Sequence, residues 1–153
     1  MIKILFVCHG NICRSPMAEF VMKEYVHQAG LANEVYIESA AIHRDELGSD
    51  IHWGTEEILD RYCIPHTPRA ARLTTKADYE TFDYLIGMDR YNMSDMRRLF
   101  HNDPAQKCSL LMDWVGTPRD VADPWYTGDF DTTYSDIDAG CLAILEHLKR
   151  SLQ

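Results

Sequence analysis

The 153-residue sequence lacks the long apolar runs that mark membrane proteins. No stretch approaches the roughly 20 consecutive apolar residues of a transmembrane helix. The first residues lead directly into a strand-like pattern and show no signal-peptide architecture. We therefore expect a cytoplasmic protein with no membrane partner.

Basic residues are scarce as well. The chain carries 15 Lys and Arg against 24 Asp and Glu, which gives a formal net charge of −9. A protein that binds nucleic acid neutralises phosphates with an excess of Lys and Arg. The composition therefore argues against a nucleic-acid partner and requires that any anion be bound at a local site. The composition does not decide the oligomeric state, and both a monomer and a weak dimer stay open.

Closely spaced cysteines are absent too. No CxxC pair is available to hold zinc or to form a thioredoxin-type motif. The five cysteines are scattered along the chain: Cys8, Cys13, Cys63, Cys108 and Cys141. In a reducing compartment we expect them to be thiols, and we expect no metal or other cofactor.

What the sequence does contain is an alternation of strand and helix patterns. Hydrophobic residues make up 46% of the chain, and we predict a single domain over residues 1–153. Strand patterns cover residues 2–7, 34–40, 82–89 and 108–112, and helical spacing follows each of them. This order predicts an α/β fold with a four-stranded parallel sheet and helices on both faces, with ligands at the carboxyl ends of the strands.

The segment between the first strand and the first helix reads "CHGNICRSP" over residues 8–16. A loop at this place points backbone N–H groups into one concavity, where the helix dipole adds positive charge, so it suits a tetrahedral oxyanion. Gly10 permits unusual backbone angles, and Asn11 tolerates left-handed geometry and offers an amide that can lock neighbouring segments. Arg14 supplies planar, bidentate donors for two oxygens of a phosphoryl group.

The same donors would stabilise a thiolate at Cys8, which predicts a nucleophile at neutral pH. Ser15 and Pro16 are predicted to open the helix, and the Ser15 hydroxyl either caps it or donates to the thiolate. The nucleotide-binding pattern GxxxxGK[ST] does not occur in the chain.

Residues 7–19, "VCHGNICRSPMAE", resemble the phosphate-binding loop of the low-molecular-weight protein tyrosine phosphatases. "ESAA" at 38–41, "FDYLIGMD" at 82–89 and "DPWY" at 123–126 are similar to further segments of that family. The resemblance implies a flavodoxin-like fold and hydrolysis of phosphotyrosine in a protein or peptide through a cysteinyl-phosphate intermediate. It also implies these phosphate-binding residues: His9, Gly10, Asn11, Ile12, Cys13, Arg14 and Ser15.

The resemblance further assigns Asp123 as the proton donor to the leaving group, so that Cys8, Arg14 and Asp123 are the predicted catalytic residues. Trp125 and Tyr126 would line the entrance for a flat substrate ring. A reversible disulfide between Cys8 and Cys13 is also implied, and simple packing is the alternative role for Cys13.

The chain departs from the family between residues 42 and 50, where no aromatic residue is available for one wall of the cleft. His43, Arg44 or Asp45 would then make this rim more polar. Three other functions stay open: an arsenate reductase, which would need a closely spaced downstream cysteine pair, a non-catalytic phospho-residue binding module, and a protein-arginine phosphatase. Members of this last group tend to carry Thr at the position of Ile12.

Overall fold

The computed structural model describes all 153 residues and is built around a parallel β-sheet. Its strands are β1 (Ile2–Cys8), β2 (Val35–Ala41), β3 (Tyr84–Gly87) and β4 (Cys108–Leu110). They lie in the order β2-β1-β3-β4, and every neighbouring pair is parallel. The predicted four-stranded parallel sheet is confirmed, and its strand order is that of the flavodoxin-like α/β fold.

Six α-helices accompany the sheet. They are α1 (Arg14–Gln28), α2 (Trp53–Arg61), α3 (Ala77–Thr81), α4 (Arg90–Leu99), α5 (Pro124–Thr127) and α6 (Phe130–Ser151). The sequence predicted α1, α2, α4 and α6, but α3 and α5 are too short for a helical period to show. None of the six combines the length and the apolar composition that crossing a membrane requires.

β1 is covered on both faces. Ile4, Phe6 and Cys8 belong to the core cluster on the α1 and α6 side, whereas Leu5 and Val7 belong to the cluster on the α4 side. Alternate side chains of a strand point to opposite faces, so a strand buried on both faces needs a continuous apolar run. The same alternation directs the Cys8 side chain toward α1.

The start of α1 differs from the prediction. The helix begins at Arg14, and its N-cap residue, Cys13, makes no side-chain capping bond. Ser15 and Pro16 therefore lie inside the first turn, where backbone N–H groups have no intrahelical partner and proline is tolerated. The Ser15 hydroxyl is thus available to a partner outside the helix.

The strand order places one loop at a special position. β2 lies on one side of β1 and β3 on the other, so the connections leaving the carboxyl ends of β1 and β3 diverge. In open parallel sheets this divergence creates the crevice in which ligands bind. Residues 9–13, hereafter the first loop, leave β1 at that crevice.

Candidate active site

A cavity of about 180 Å³, hereafter the cleft, opens at the first loop. It brings together all three predicted catalytic residues, Cys8, Arg14 and Asp123. The other lining residues are His9, Gly10, Ile12, Cys13, Asp45, Glu46, Trp125 and Tyr126. Three segments that are far apart in the sequence therefore meet around one small volume.

The carbonyl groups and the N–H groups of the first loop differ in their hydrogen bonding. The carbonyl groups of Cys8 and His9 each accept a hydrogen bond of 3.0 Å from the backbone that follows β2. The N–H groups of residues 9–13, in contrast, have no hydrogen-bond partner within the protein. Backbone N–H groups without a partner are rare in folded proteins, and a run of them beside a helix N-terminus is an anion-binding arrangement.

Of the two first-loop residues that the sequence marks as tolerating unusual backbone angles, it is Asn11 and not Gly10 that adopts one. Asn11 has a φ of 59°, in the left-handed region that Asn tolerates. A Cβ atom at position 10 would lie 3.3 Å from Cγ of Glu46, so the Glu46 side chain would have to shift slightly to accommodate it.

The Cys8 side chain is 3% exposed at the bottom of the cleft. Its Sγ lies 3.0 Å from Oγ of Ser15 and accepts a bond of 3.4 Å from the Ser15 backbone N–H. Of the two roles predicted for the Ser15 hydroxyl, the structure therefore shows the contact with the sulfur and not the capping of α1.

Arg14 is held by oxygen atoms from two distant segments. Its Nη1 donates to Asp89 at 2.8 Å and to the Val121 carbonyl at 2.9 Å, and its Nη2 donates to Asp123 at 3.3 Å. Burial opposes the charge, but the negative charges of Cys8, Asp123 and Asp89 outweigh it and raise the pKa of Arg14. The guanidinium is a fixed cation beside the sulfur.

Sequence reasoning missed Asp89 as a site residue. Its position directly after β3 was the available signal, because side chains at the carboxyl ends of neighbouring parallel strands converge.

Asp123 is the N-cap of α5, and its Oδ1 accepts a bond of 3.1 Å from the Trp125 backbone N–H. The Asp-Pro pair starts this short helix, because Pro124 at the first helical position needs no N–H partner. α5 then presents Trp125 and Tyr126, which are 56% and 82% exposed, at the mouth of the cleft.

The opposite wall of the cleft is acidic. Of the three residues predicted for it, only Asp45 lines the cleft, and Glu46 joins it. His43 instead stacks on His9 at 4.3 Å between ring centroids, and Arg44 is not among the lining residues. We call the exposed mouth formed by Asp45, Glu46, Trp125 and Tyr126 the rim.

Two predicted phosphate-binding residues, Asn11 and Ser15, do not line the cleft. Both are fully buried behind it, so any phosphate contact from them would come from the backbone. Cys13 packs in a small apolar cluster with Ile12 and Ala71.

Burial, together with the negative charges of Cys8 and Asp123, raises the pKa of Cys13 to about 12. Cys8 and Cys13 are both free thiols, and a disulfide between them stays a prediction. No group of three or more His, Cys, Asp or Glu side chains is arranged to hold a metal ion.

A parallel α/β sheet that carries a cysteine, an arginine and free amide groups around one anion pocket defines a class of thiol-dependent enzymes that act on tetrahedral oxyanions. The particular family follows from comparison with known proteins. Residues 3–153 match the family model of low molecular weight phosphotyrosine protein phosphatases. The chain belongs to this family.

Individual relatives agree over nearly the whole chain. The low molecular weight protein-tyrosine-phosphatase YfkJ of Bacillus subtilis is 37% identical over 100% of this chain and 99% of its own. The crystal structure of YfkJ superposes with a TM-score of 0.96, covering 100% of this chain and 98% of that one.

Two further crystal structures are similar. SP-PTP, a low molecular weight protein tyrosine phosphatase from Streptococcus pyogenes, has a TM-score of 0.87 at 42% identity, covering 97% of this chain and 93% of its own. DARP, an arginine phosphatase from Drosophila, has a TM-score of 0.86 at 27% identity, covering 97% of this chain and 98% of its own.

Proposed function

We propose that this chain, as one phosphatase domain over residues 1–153, hydrolyses phosphotyrosine in proteins or peptides through a cysteinyl-phosphate intermediate. The observation that carries the proposal is the run of unpartnered N–H groups at residues 9–13, in the loop that joins Cys8 to Arg14 at the cleft. These donors suit the equatorial oxygens of a phosphoryl group, whose charge they would stabilise in the transition state.

In the first step the Cys8 thiolate attacks phosphorus, the S–P bond forms and the bond to the tyrosyl oxygen breaks. A phenolate is a poor leaving group, and Asp123 would transfer its proton to that oxygen. The position of Asp123 on the wall of the cleft that Cys8 also lines supports this role.

In the second step a water molecule attacks the cysteinyl phosphate. Asp123 would accept a proton from that water, the S–P bond breaks, and inorganic phosphate leaves as the thiolate is restored. Ser15 Oγ, at 3.0 Å from the sulfur, is placed to donate to the thiolate and so to make it a better leaving group.

The rim would select the substrate side chain. Trp125 and Tyr126 offer exposed aromatic surface on which the substrate ring can stack. We further propose that the enzyme works in the cytoplasm, and its scattered set of five free cysteines supports a reducing compartment.

The decisive experiment is hydrolysis of para-nitrophenyl phosphate with and without EDTA. We expect turnover that EDTA leaves unchanged, no turnover for Cys8→Ser, and a loss of about 10²- to 10⁴-fold in kcat for Asp123→Ala. The exposed Cys63 provides a matched control, and Cys63→Ser should keep wild-type activity. Comparable turnover by Cys8→Ser would exclude the covalent mechanism.

Phosphoarginine is the second candidate substrate. The carboxylates of Asp45 and Glu46 at the rim suit a guanidinium, whereas Ile12 at the first loop favours phosphotyrosine. Initial rates on matched phosphotyrosine and phosphoarginine peptides decide between the two, and we expect the phosphotyrosine peptide to be hydrolysed at least about 10-fold faster. A binding module without activity would show neither turnover nor a phosphoenzyme.

A further inference from the structure

The segment that carries Asp123 has no regular secondary structure of its own. Residues 119–123, hereafter the acid segment, lie between β4 and α5. A side chain on a loop is held less precisely than one on a helix or strand, unless contacts with such rigid elements fix the loop. The position of the proposed proton donor therefore depends on the bonds that the acid segment makes.

Two of these bonds fix the buried residue Val121. Its backbone N–H donates to the Met88 carbonyl, directly after β3, at 2.8 Å, and its own carbonyl accepts from Nη1 of Arg14 at 2.9 Å. Both bonds act on peptide units that precede Ala122. They leave the peptide unit that joins Ala122 to Asp123 to be fixed by another contact.

That contact comes from α6. Thr133 is fully buried, and its Oγ1 lies 2.9 Å from the carbonyl oxygen of Ala122 and 3.3 Å from that of Asp129. A hydroxyl has one proton to donate, and the shorter distance assigns it to Ala122. A peptide unit is planar, so this bond also fixes the plane from which the Asp123 side chain projects.

A second contact lies one turn further along α6. Both oxygens of Asp136 accept from the guanidinium of Arg119, at 2.8 and 2.6 Å. Residues three apart on a helix share a face, so Thr133 and Asp136 meet the acid segment together. Buried polar side chains need partners, and these two find theirs in the acid segment. The rest of this buried stripe of α6 is apolar and includes Ile137, Cys141, Ile144 and Leu148.

We propose that Thr133 is a positioning residue for proton transfer by Asp123, supported by the Arg119–Asp136 pair on the same face of α6. Thr133 does not line the cleft, so it acts through the acid segment. Without its hydroxyl the peptide unit before Asp123 can rotate, and the carboxyl group moves away from the leaving oxygen. A general acid must lie within hydrogen-bond reach of the atom that it protonates. The inference rests on the proposed role of Asp123.

The test uses two aryl phosphates that differ in their need for a proton. Phenol is a weak acid, so the leaving oxygen of phenyl phosphate must be protonated, whereas the strongly acidic 2,4-dinitrophenol leaves readily as its anion. The readout is the ratio of kcat/KM for phenyl phosphate to kcat/KM for 2,4-dinitrophenyl phosphate. A mere loss of stability or of active enzyme lowers both values equally and leaves this ratio unchanged.

Three variants define the role of the hydroxyl. Thr133→Val removes it at similar side-chain size, and Thr133→Ser keeps it. Thr74→Val is the matched control, because Thr74 is also buried and also donates to a backbone carbonyl, that of Ala41 at 2.8 Å, outside the acid segment.

We expect Thr133→Val to lower kcat/KM for phenyl phosphate by about 10- to 100-fold and that for 2,4-dinitrophenyl phosphate by less than about threefold. Thr133→Ser and Thr74→Val should keep the wild-type ratio. A wild-type ratio in a folded Thr133→Val protein would overturn the proposal.

Arg119→Gln carries the same test if Thr133→Val does not fold, because the Arg119 side chain is half-exposed. We expect it to lower the ratio by about 3- to 10-fold, since one of the two contacts with α6 is lost. An unchanged ratio for this variant would overturn the proposal equally.

A double variant shows whether Thr133 acts through Asp123. Asp123→Ala should lower the ratio by itself, and adding Thr133→Val should lower it by less than about a further twofold, because the acid is already gone. A full further loss would overturn the proposal. A wild-type ratio for Asp123→Ala would contradict the proposed role of Asp123 and this inference together, whereas a wild-type ratio for Thr133→Val alone contradicts the inference and leaves the proposed function standing.

Discussion

The floor and the rim of the cleft are built in opposite ways. The floor consists of Cys8, the first loop, Arg14 and Ser15. The side chains of Cys8, Arg14 and Ser15 are at most 3% exposed. The rim aromatics, Trp125 and Tyr126, are more than half exposed. Around the floor nearly every polar side-chain atom has a partner from another segment, whereas the rim aromatics are exposed to solvent or substrate.

This difference separates two tasks. Stabilising the phosphoryl group in the transition state requires hydrogen-bond donors that do not reorganise. Burial and a full set of hydrogen bonds supply that rigidity. Recognising the rest of a substrate requires exposed surface that a ligand can cover. Floor substitutions should therefore change kcat and stability, and rim substitutions should change KM.

Among the substitutions considered for the floor, we expect Arg14→Lys to have the largest effect on activity. Lysine keeps the charge but loses the planar fork that bonds to Asp89, Val121 and Asp123. We expect kcat/KM for para-nitrophenyl phosphate to fall by about 10²- to 10³-fold. The exposed Arg61 is the control, and Arg61→Lys should be within twofold of wild type. A loss below about fivefold for Arg14→Lys would show that charge alone suffices.

Asn11→Ala tests whether the network or the backbone angle matters more. The substitution removes four hydrogen bonds inside the protein, and we expect the free energy of unfolding in urea to fall by about 2 to 4 kcal/mol. Asn102 is a matched control, because it is also left-handed, with a φ of 65°, but is exposed. Equal losses for Asn102→Ala and Asn11→Ala would assign the effect to the backbone angle.

Trp125→Ala addresses the rim. Loss of the stacking surface should raise KM for para-nitrophenyl phosphate by about 3- to 10-fold and change kcat by less than about threefold. Inhibition by inorganic phosphate, which has no ring, should be unchanged. Trp53 is exposed but does not line the cleft, and Trp53→Ala provides the control. A fall in kcat with constant KM would show that Trp125 acts in the chemical step, as the floor residues do, and not in substrate binding.

The contrast between buried and exposed groups also predicts a pH effect on stability. Burial raises the pKa of Cys141 above its ordinary value of 9.0, so the folded state keeps the neutral thiol while the unfolded chain ionises. Its stabilising contribution is therefore complete below about pH 9 and is lost progressively at higher pH. When the pH rises from 7.5 to 10, the free energy of unfolding in urea should fall by about 1 kcal/mol less for Cys141→Ala than for the wild type.

Cys63→Ala is the control for that experiment, since Cys63 is exposed in the folded state. Its stability should fall with pH as in the wild type. Identical pH dependence in Cys141→Ala and wild type would contradict the linkage.

Local sequence patterns predicted the parts of this protein whose cause is local. The apolar run of β1 reports burial on both faces, and the segment from Cys8 to Arg14 carries its chemistry within one loop. Asp123 was found through a resemblance, and the structure places it on the cleft wall. α1 begins at Arg14 and not after Ser15 as predicted, and of the two roles left open for the Ser15 hydroxyl the structure shows the contact with the sulfur.

The sequence by itself determined the order of strands and helices and the spacing of the thiol and guanidinium, because periodicity and strand–loop–helix geometry act over a few residues. Only the tertiary structure decided which residues surround them. Asp89 reaches Arg14, and Arg69 and Glu46 reach the first loop, from segments more than 30 residues away, and their contacts depend on sheet order and on the courses of three loops. Hydrogen-bond partners chosen across such distances leave no periodic trace in the chain.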